Sequence, residues 1–168
     1  MTGKDTPATL DLLTGALDRR LFESELARAV KLAREKAQSL SLLYLDVDEL
    51  LELNDLHGVP SADLALATLA QLICEVSGGV GPLGRVGGGA FALILPRVGP
   101  SRALEIAEAV RLRAAKRVYE GEEERFQLTL SVGVAPLRPG EPWGNLLEAA
   151  EEACRRAKVG GRNRAMMR

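Results

Sequence analysis

Leu83-Gly84-Arg85-Val86-Gly87-Gly88-Gly89-Ala90-Phe91-Ala92-Leu93-Ile94-Leu95 decides the fold. Two short apolar runs, 83–86 and 91–95, flank consecutive glycines, so the stretch reads as a β-hairpin with a glycine tip. Neither Gly89 nor Ala90, at the end of that tip, has a side chain that can hold a metal ion.

Outward from the hairpin, helices and strands interleave. Asp18 is placed to cap a helix reaching about residue 38, with Leu21, Phe22, Leu26, Val30 and Ala33 at helical spacing. Residues 39–47 (SLSLLYLDV) form a short apolar run ending in acids, which fits a buried strand. A helical piece over 49–55 leads to the break at His57-Gly58-Val59-Pro60. Pro60 and Asp63 suit the first turn of a helix reaching about residue 76. Beyond the hairpin, Pro100 and Ser101 open a helix to about 119, and 120–125 is a charged loop. Residues 126–137 alternate as a strand, and Pro142 starts a last helix through 157. Gly160-Gly161 ends that helix, and 162–167 is a candidate final strand. This order predicts an α/β (α+β) fold, one sheet with helices packed on it. Residues 1–10 read as a short tail and 11–168 as one domain.

Composition narrows the function. A chain of 168 residues can bury a sizeable core, and 46% hydrophobic with 27% charged residues is ordinary for a soluble globular protein. A formal net charge of -1 gives no bulk attraction for nucleic acid. No apolar run approaches the roughly 20 residues that span a bilayer, and 1–10 lack a signal pattern. The expectation is a cytoplasmic protein with no membrane or nucleic-acid partner. Cys74 and Cys154 lie far apart in apolar helical patterns and read as buried thiols. His57, the single histidine, reads as a surface residue.

Four stretches carry a resemblance. Residues 11–20 (DLLTGALDRR) are similar to D-x-L-T-G-L-x-N-R-R. Asp46-Val47-Asp48, then Asn54-Asp55 and Asp63, are similar to D-x-D-x-F-K-x-x-N-D-x-x-G-H-x-x-G-D. Arg85-Val86-Gly87-Gly88-Gly89-Ala90-Phe91 resembles R-[FY]-G-G-D-E-F. Ser131-Val132-Gly133-Val134-Ala135, then Ala157-Lys158 and Gly161-Arg162-Asn163, resemble S-x-G-x-A and A-K-x-x-G-R-N. In order and register, these resemble a GGDEF domain, the module that makes cyclic di-GMP from two GTP molecules. The resemblance implies a central, mostly antiparallel five-stranded sheet flanked by helices, nucleotide cyclase-like with a ferredoxin-like core.

It also implies site roles. The family holds Mg²⁺ with the first Asp of D-x-D, a backbone carbonyl and the acid after Gly-Gly. Asp46 and the Val47 carbonyl remain for a residual, weak metal site, while Gly89 and Ala90 replace the two acids. Asn54 and Asp63 match the pair that reads guanine, and Lys158 and Arg162 match the pair that reaches phosphates. The i, i+4 spacing of Lys158 and Arg162 at a helix end would point both one way. Leu51 stands where a phosphate-binding Lys is usual, Glu49 adds negative charge, and Val59 and Ala62 replace a His and a Gly. The family's R-x-x-D inhibitory clamp falls on Gly78 and Gly81. Read without the family, Asp46 and Asp48 are solvated turn residues ending a strand. The expectation is a catalytically silent regulatory domain that binds GTP, with Mg²⁺ where nucleotide carries it, or a protein partner. A weakly active homodimeric cyclase and a pure interaction domain are the alternatives.

Overall fold

The computed structural model describes residues 9–168. The elements are α1 (Arg19–Glu35), β1 (Leu40–Val47), α2 (Leu50–His57), α3 (Val59–Ser77), β2 (Leu83–Arg85), β3 (Ala90–Pro96), α4 (Pro100–Lys116), β4 (Leu130–Pro136), α5 (Trp143–Val159) and β5 (Arg164–Met167). Of the expected tail at 1–10, residues 1–8 lie outside the described residues.

One five-stranded sheet has the order β2-β3-β1-β4-β5. β1 is central and antiparallel to β3 and β4, β2 is antiparallel to β3, and β5 runs parallel to β4. The first four strands with their crossover helices form the expected ferredoxin-like βαββαβ core. Every residue of β1 except Asp46 is buried, because the sheet is covered on both faces. Alternation along β1 sends Leu43, Leu45 and Val47 into a core shared with Leu69 and Ile73 of α3 and Val110 of α4. Leu42 and Tyr44 face the other core, against Phe22 and Leu26 of α1 and Leu146 of α5.

Local chemistry sets the ends. Asp18 caps α1, its extended backbone letting the carboxylate accept from the Leu21 N–H. The 126–137 strand is shorter than expected, since β4 starts at Leu130. Phe126 pairs instead with Tyr119 through two backbone hydrogen bonds of 2.8 and 3.0 Å, closing the 120–125 loop.

Two readings are corrected. His57 is not a surface residue: its side chain is 11% exposed and its ring stacks on Phe126 at 4.3 Å. Cys74 is exposed, whereas Cys154 is buried and its thiol is pushed up to about 12, chiefly by burial. Helix α3 is long and apolar enough by composition to cross a membrane, with 19 residues at a mean hydropathy of 1.3. Its Leu66, Leu69, Leu72 and Ile73 are buried in this domain, so packing accounts for that apolarity.

Candidate functional site

The residues singled out from sequence converge where β1 ends, beside the β2–β3 bend, the α2–α3 corner and the end of α5. Asp46 lies directly across from Ala90 on β3 and Ser131 on β4. That Ala90 is a buried methyl group and supplies no carboxylate opposite Asp46. A Cβ added at Gly89 would sit 2.7 Å from Leu50 Cδ2, so an apolar side chain occupies that corner.

A lysine supplies the cation. Lys158 Nζ on α5 lies 3.5 Å from Asp46 and 3.4 Å from Asp48, and donates to the Val47 carbonyl at 3.2 Å. Its ammonium therefore rests on the very groups that the resemblance assigns to a metal. Among the described residues, no three His, Cys, Asp or Glu side chains gather to hold a metal ion. The donor set does not fit a tightly bound divalent ion, which wants about six oxygen ligands.

The neighbouring carboxylates differ in character. Burial pushes the Asp46 carboxyl up; Lys158 opposes this, Asp48 and Glu151 add to it, and the balance stays above the ordinary value. Burial would raise Asp48 too. Hydrogen bonds from Thr129 Oγ1 (2.6 Å), Ser131 Oγ (2.7 Å) and the Asn163 N–H (3.0 Å), with the Lys158 charge, hold it below that range instead. Asp48 is thus no solvated turn residue: at 4% exposure it ties β1, β4 and the α5–β5 turn together.

Arg162 does not extend α5. The helix ends at Gly160, and Arg162 and Asn163 both take left-handed backbone (φ 63° and 43°). The spacing argument for Lys158 and Arg162 therefore fails. Lys158 faces the two aspartates, while Arg162 Nε lies 4.0 Å from Glu49 Oε1. Glu49 is itself left-handed (φ 57°) and precedes α2 without a side-chain cap. Asn54 on α2 and Asp63 on α3 flank the turn at Gly58 (φ 83°). Both are half-buried, and neither side chain hydrogen-bonds another described residue. Leu51, where a phosphate-binding lysine would stand, is 78% exposed.

Two arginines of the matched motifs, given no role from sequence, hold the bend. Arg85 Nη2 donates to the Gly88 carbonyl at 2.7 Å, and Nη1 reaches Asp11 at 3.3 Å. Arg19 Nη1 donates to the Val86 carbonyl at 2.9 Å. Asp11 in turn accepts from the Thr14 hydroxyl and N–H. The local Asp-x-x-Thr turn was legible in the sequence; its reach to Arg85 was not. At Gly81 an added Cβ would lie 1.9 Å from the Ile94 carbonyl oxygen, so this backbone admits no side chain at that inhibitory-clamp position.

Comparison with known proteins agrees with the geometry. The family model described as "Diguanylate cyclase, GGDEF domain" matches residues 8–164. Diguanylate cyclase DgcM of Escherichia coli is 38% identical over 160 residues, covering 93% of this chain and 37% of that protein. The chain thus spans little more than a third of that curated relative. The GGDEF domain of DgcB from Caulobacter crescentus, solved in complex with c-di-GMP, superposes with a TM-score of 0.90 at 32% identity, covering 99% of this chain and 96% of that one. Diguanylate cyclase SiaD of Pseudomonas aeruginosa, solved with its activator SiaC, gives a TM-score of 0.90 at 30% identity, covering 95% of this chain and 61% of that one.

Proposed function

The chain belongs to the GGDEF domain family, and from that premise we propose that it is a catalytically silent regulatory domain of cyclic di-GMP signalling, acting through guanine-nucleotide binding, protein contact or both. The observation that carries this reading is the ammonium of Lys158 lying on Asp46 and the Val47 carbonyl, opposite Gly89 and Ala90. Joining two GTP molecules requires a 3′-hydroxyl to attack an α-phosphate while developing charge is offset. Removing one well-placed electrostatic group typically costs about 10²–10³ in rate. Here two carboxylates are missing at once.

Nucleotide recognition keeps more of its parts. Asn54 and Asp63 would meet the guanine edge, where a carboxylate accepts from N1–H and N2–H, a pair adenine does not offer. Lys158 and Arg162 would meet the phosphates. A triphosphate would compete for them with Asp46, Asp48 and Glu49, which favours weak binding. Mg²⁺ would then arrive with the nucleotide, Asp46 and the Val47 carbonyl offering it a residual hold.

Calorimetry with GTP, with and without Mg²⁺, tests the reading alongside a search for cyclic di-GMP in concentrated purified protein. The expected result is binding that changes little with Mg²⁺, and no product. Product that disappears in Asp46→Ala would establish a weakly active homodimeric cyclase and overturn the silent reading. No heat with millimolar guanine nucleotide would remove the nucleotide half and leave protein contact.

A further inference from the structure

A groove beside α2 lies outside the set of residues assigned to nucleotide. One part, about 360 Å³, lies between α2 and residues 127–129; a second, about 200 Å³, lies under the 121–124 loop, and the two meet at Leu56. Leu53, Leu56 and Leu128 line it among polar groups. Leu56 is 73% exposed at the junction, and α2 buries none of its residues fully.

The walls are acidic at both ends. Glu49 and Glu52 line one end, and Glu122, Glu123 and Glu124 the other. The cation facing them is Arg162, 4.0 Å from Glu49, and the His57 Nδ1 atom lies 3.4 Å from Glu124. Glu52, Glu122 and Glu123 have no cationic partner among the described residues. The loop is held in place: the Glu122 N–H donates to Ser61 Oγ at 3.0 Å, and Tyr119 and Phe126 close its base.

Leucines set between carboxylates at both ends complement a helix with an apolar stripe and a basic polar face. We propose that this groove docks a basic amphipathic helix of a partner protein. The proposal deepens the protein-contact half of the reading above and stands whether or not nucleotide binds.

The test uses three fluorescent peptides of about 18 residues, about five helical turns. The first carries leucines at helical spacing with lysines on the polar face. The second has the same leucines with glutamates, and the third scrambles the first to break its stripe. In anisotropy titrations only the first is expected to bind, and more weakly as salt rises. Leu56→Lys, and separately Glu122→Lys with Glu123→Lys, should each weaken it at least about tenfold. Leu112→Lys, on exposed α4 surface, should leave it unchanged. Equal binding of the scrambled or acidic peptide, no binding of the first, or indifference to Leu56→Lys would overturn the proposal. So would a dimer in sedimentation of the protein alone that Leu56→Lys dissolves, because the occupant would then be a second copy. The GTP calorimetry above, run on the same protein, reads the nucleotide half by itself, so the two failures are told apart.

Discussion

Asp48→Ala removes a buried carboxylate that accepts from two hydroxyls, one backbone N–H and the Lys158 ammonium. Hydrogen bonds to a charged group contribute about 1.5–3 kcal/mol each, so the three shortest total roughly 5–9 kcal/mol gross. The buried carboxylate's own desolvation cost disappears with it, which brings the expected loss to about 3–5 kcal/mol. At about 2–4 °C per kcal/mol for a domain of this size, Tm falls by about 6–20 °C. Urea unfolding followed by circular dichroism at pH 7 measures the loss directly. Acid supplies an independent check. Because hydrogen bonds hold the folded Asp48 below its ordinary 3.8, its contribution is fully present above that value. It is lost as pH falls through the lower folded value. The gap between wild type and variant should stay level from pH 7 to about 5 and shrink below about 4. A loss under about 1 kcal/mol at pH 7, or a gap that widens in acid, would refute the claim that Asp48 ties three elements together.

Further outcomes follow from the same geometry. Gly89→Asp with Ala90→Glu restores two acids beside Asp46; once Leu50 swings from the 2.7 Å clash, metal-dependent GTP turnover should rise by about 10² or more, read by product formation. A double variant no more active than wild type would show that these two positions do not limit turnover. Asp46→Asn should stabilise the fold at pH 7, because the folded carboxyl is raised by burial and its ionisation opposes folding. That gain should fade as pH drops below about 4, where wild-type Asp46 is protonated in both states. Glu49 has left-handed backbone, so Glu49→Gly should be more stable than Glu49→Ala by about 1 kcal/mol in urea; equal stabilities would deny any strain there.

Much of the fold was legible because its signals are local. The Phe22, Leu26, Val30, Ala33 spacing marks the face α1 buries, and SLSLLYLDV reads as a strand covered on both sides. Contacts far apart in sequence were not legible. Asp48 looks like a turn acid until Thr129, Ser131 and Asn163, 81 to 115 residues away, close around it. His57 looks exposed until Phe126 arrives beneath its ring. Residue spacing placed Lys158 and Arg162 on one helix face, but left-handed backbone after Gly160 turns Arg162 away. The gathering of Asp46, Val47 and Lys158 at one corner was recoverable only through the aligned motifs, since no local pattern joins the ends of β1 and α5.

The guanidinium clasp on the bend has a consequence for how this chain tolerates change. Arg85 and Arg19 grip main-chain carbonyls at Gly88 and Val86, groups that every amino acid carries. The loop's outline is therefore held from its flanks, and at Gly88, where an added Cβ would meet nothing within 4 Å, the crest has room for a side chain. Side chains there can change while the surrounding architecture persists, because the grip is on the main chain and not on what it carries.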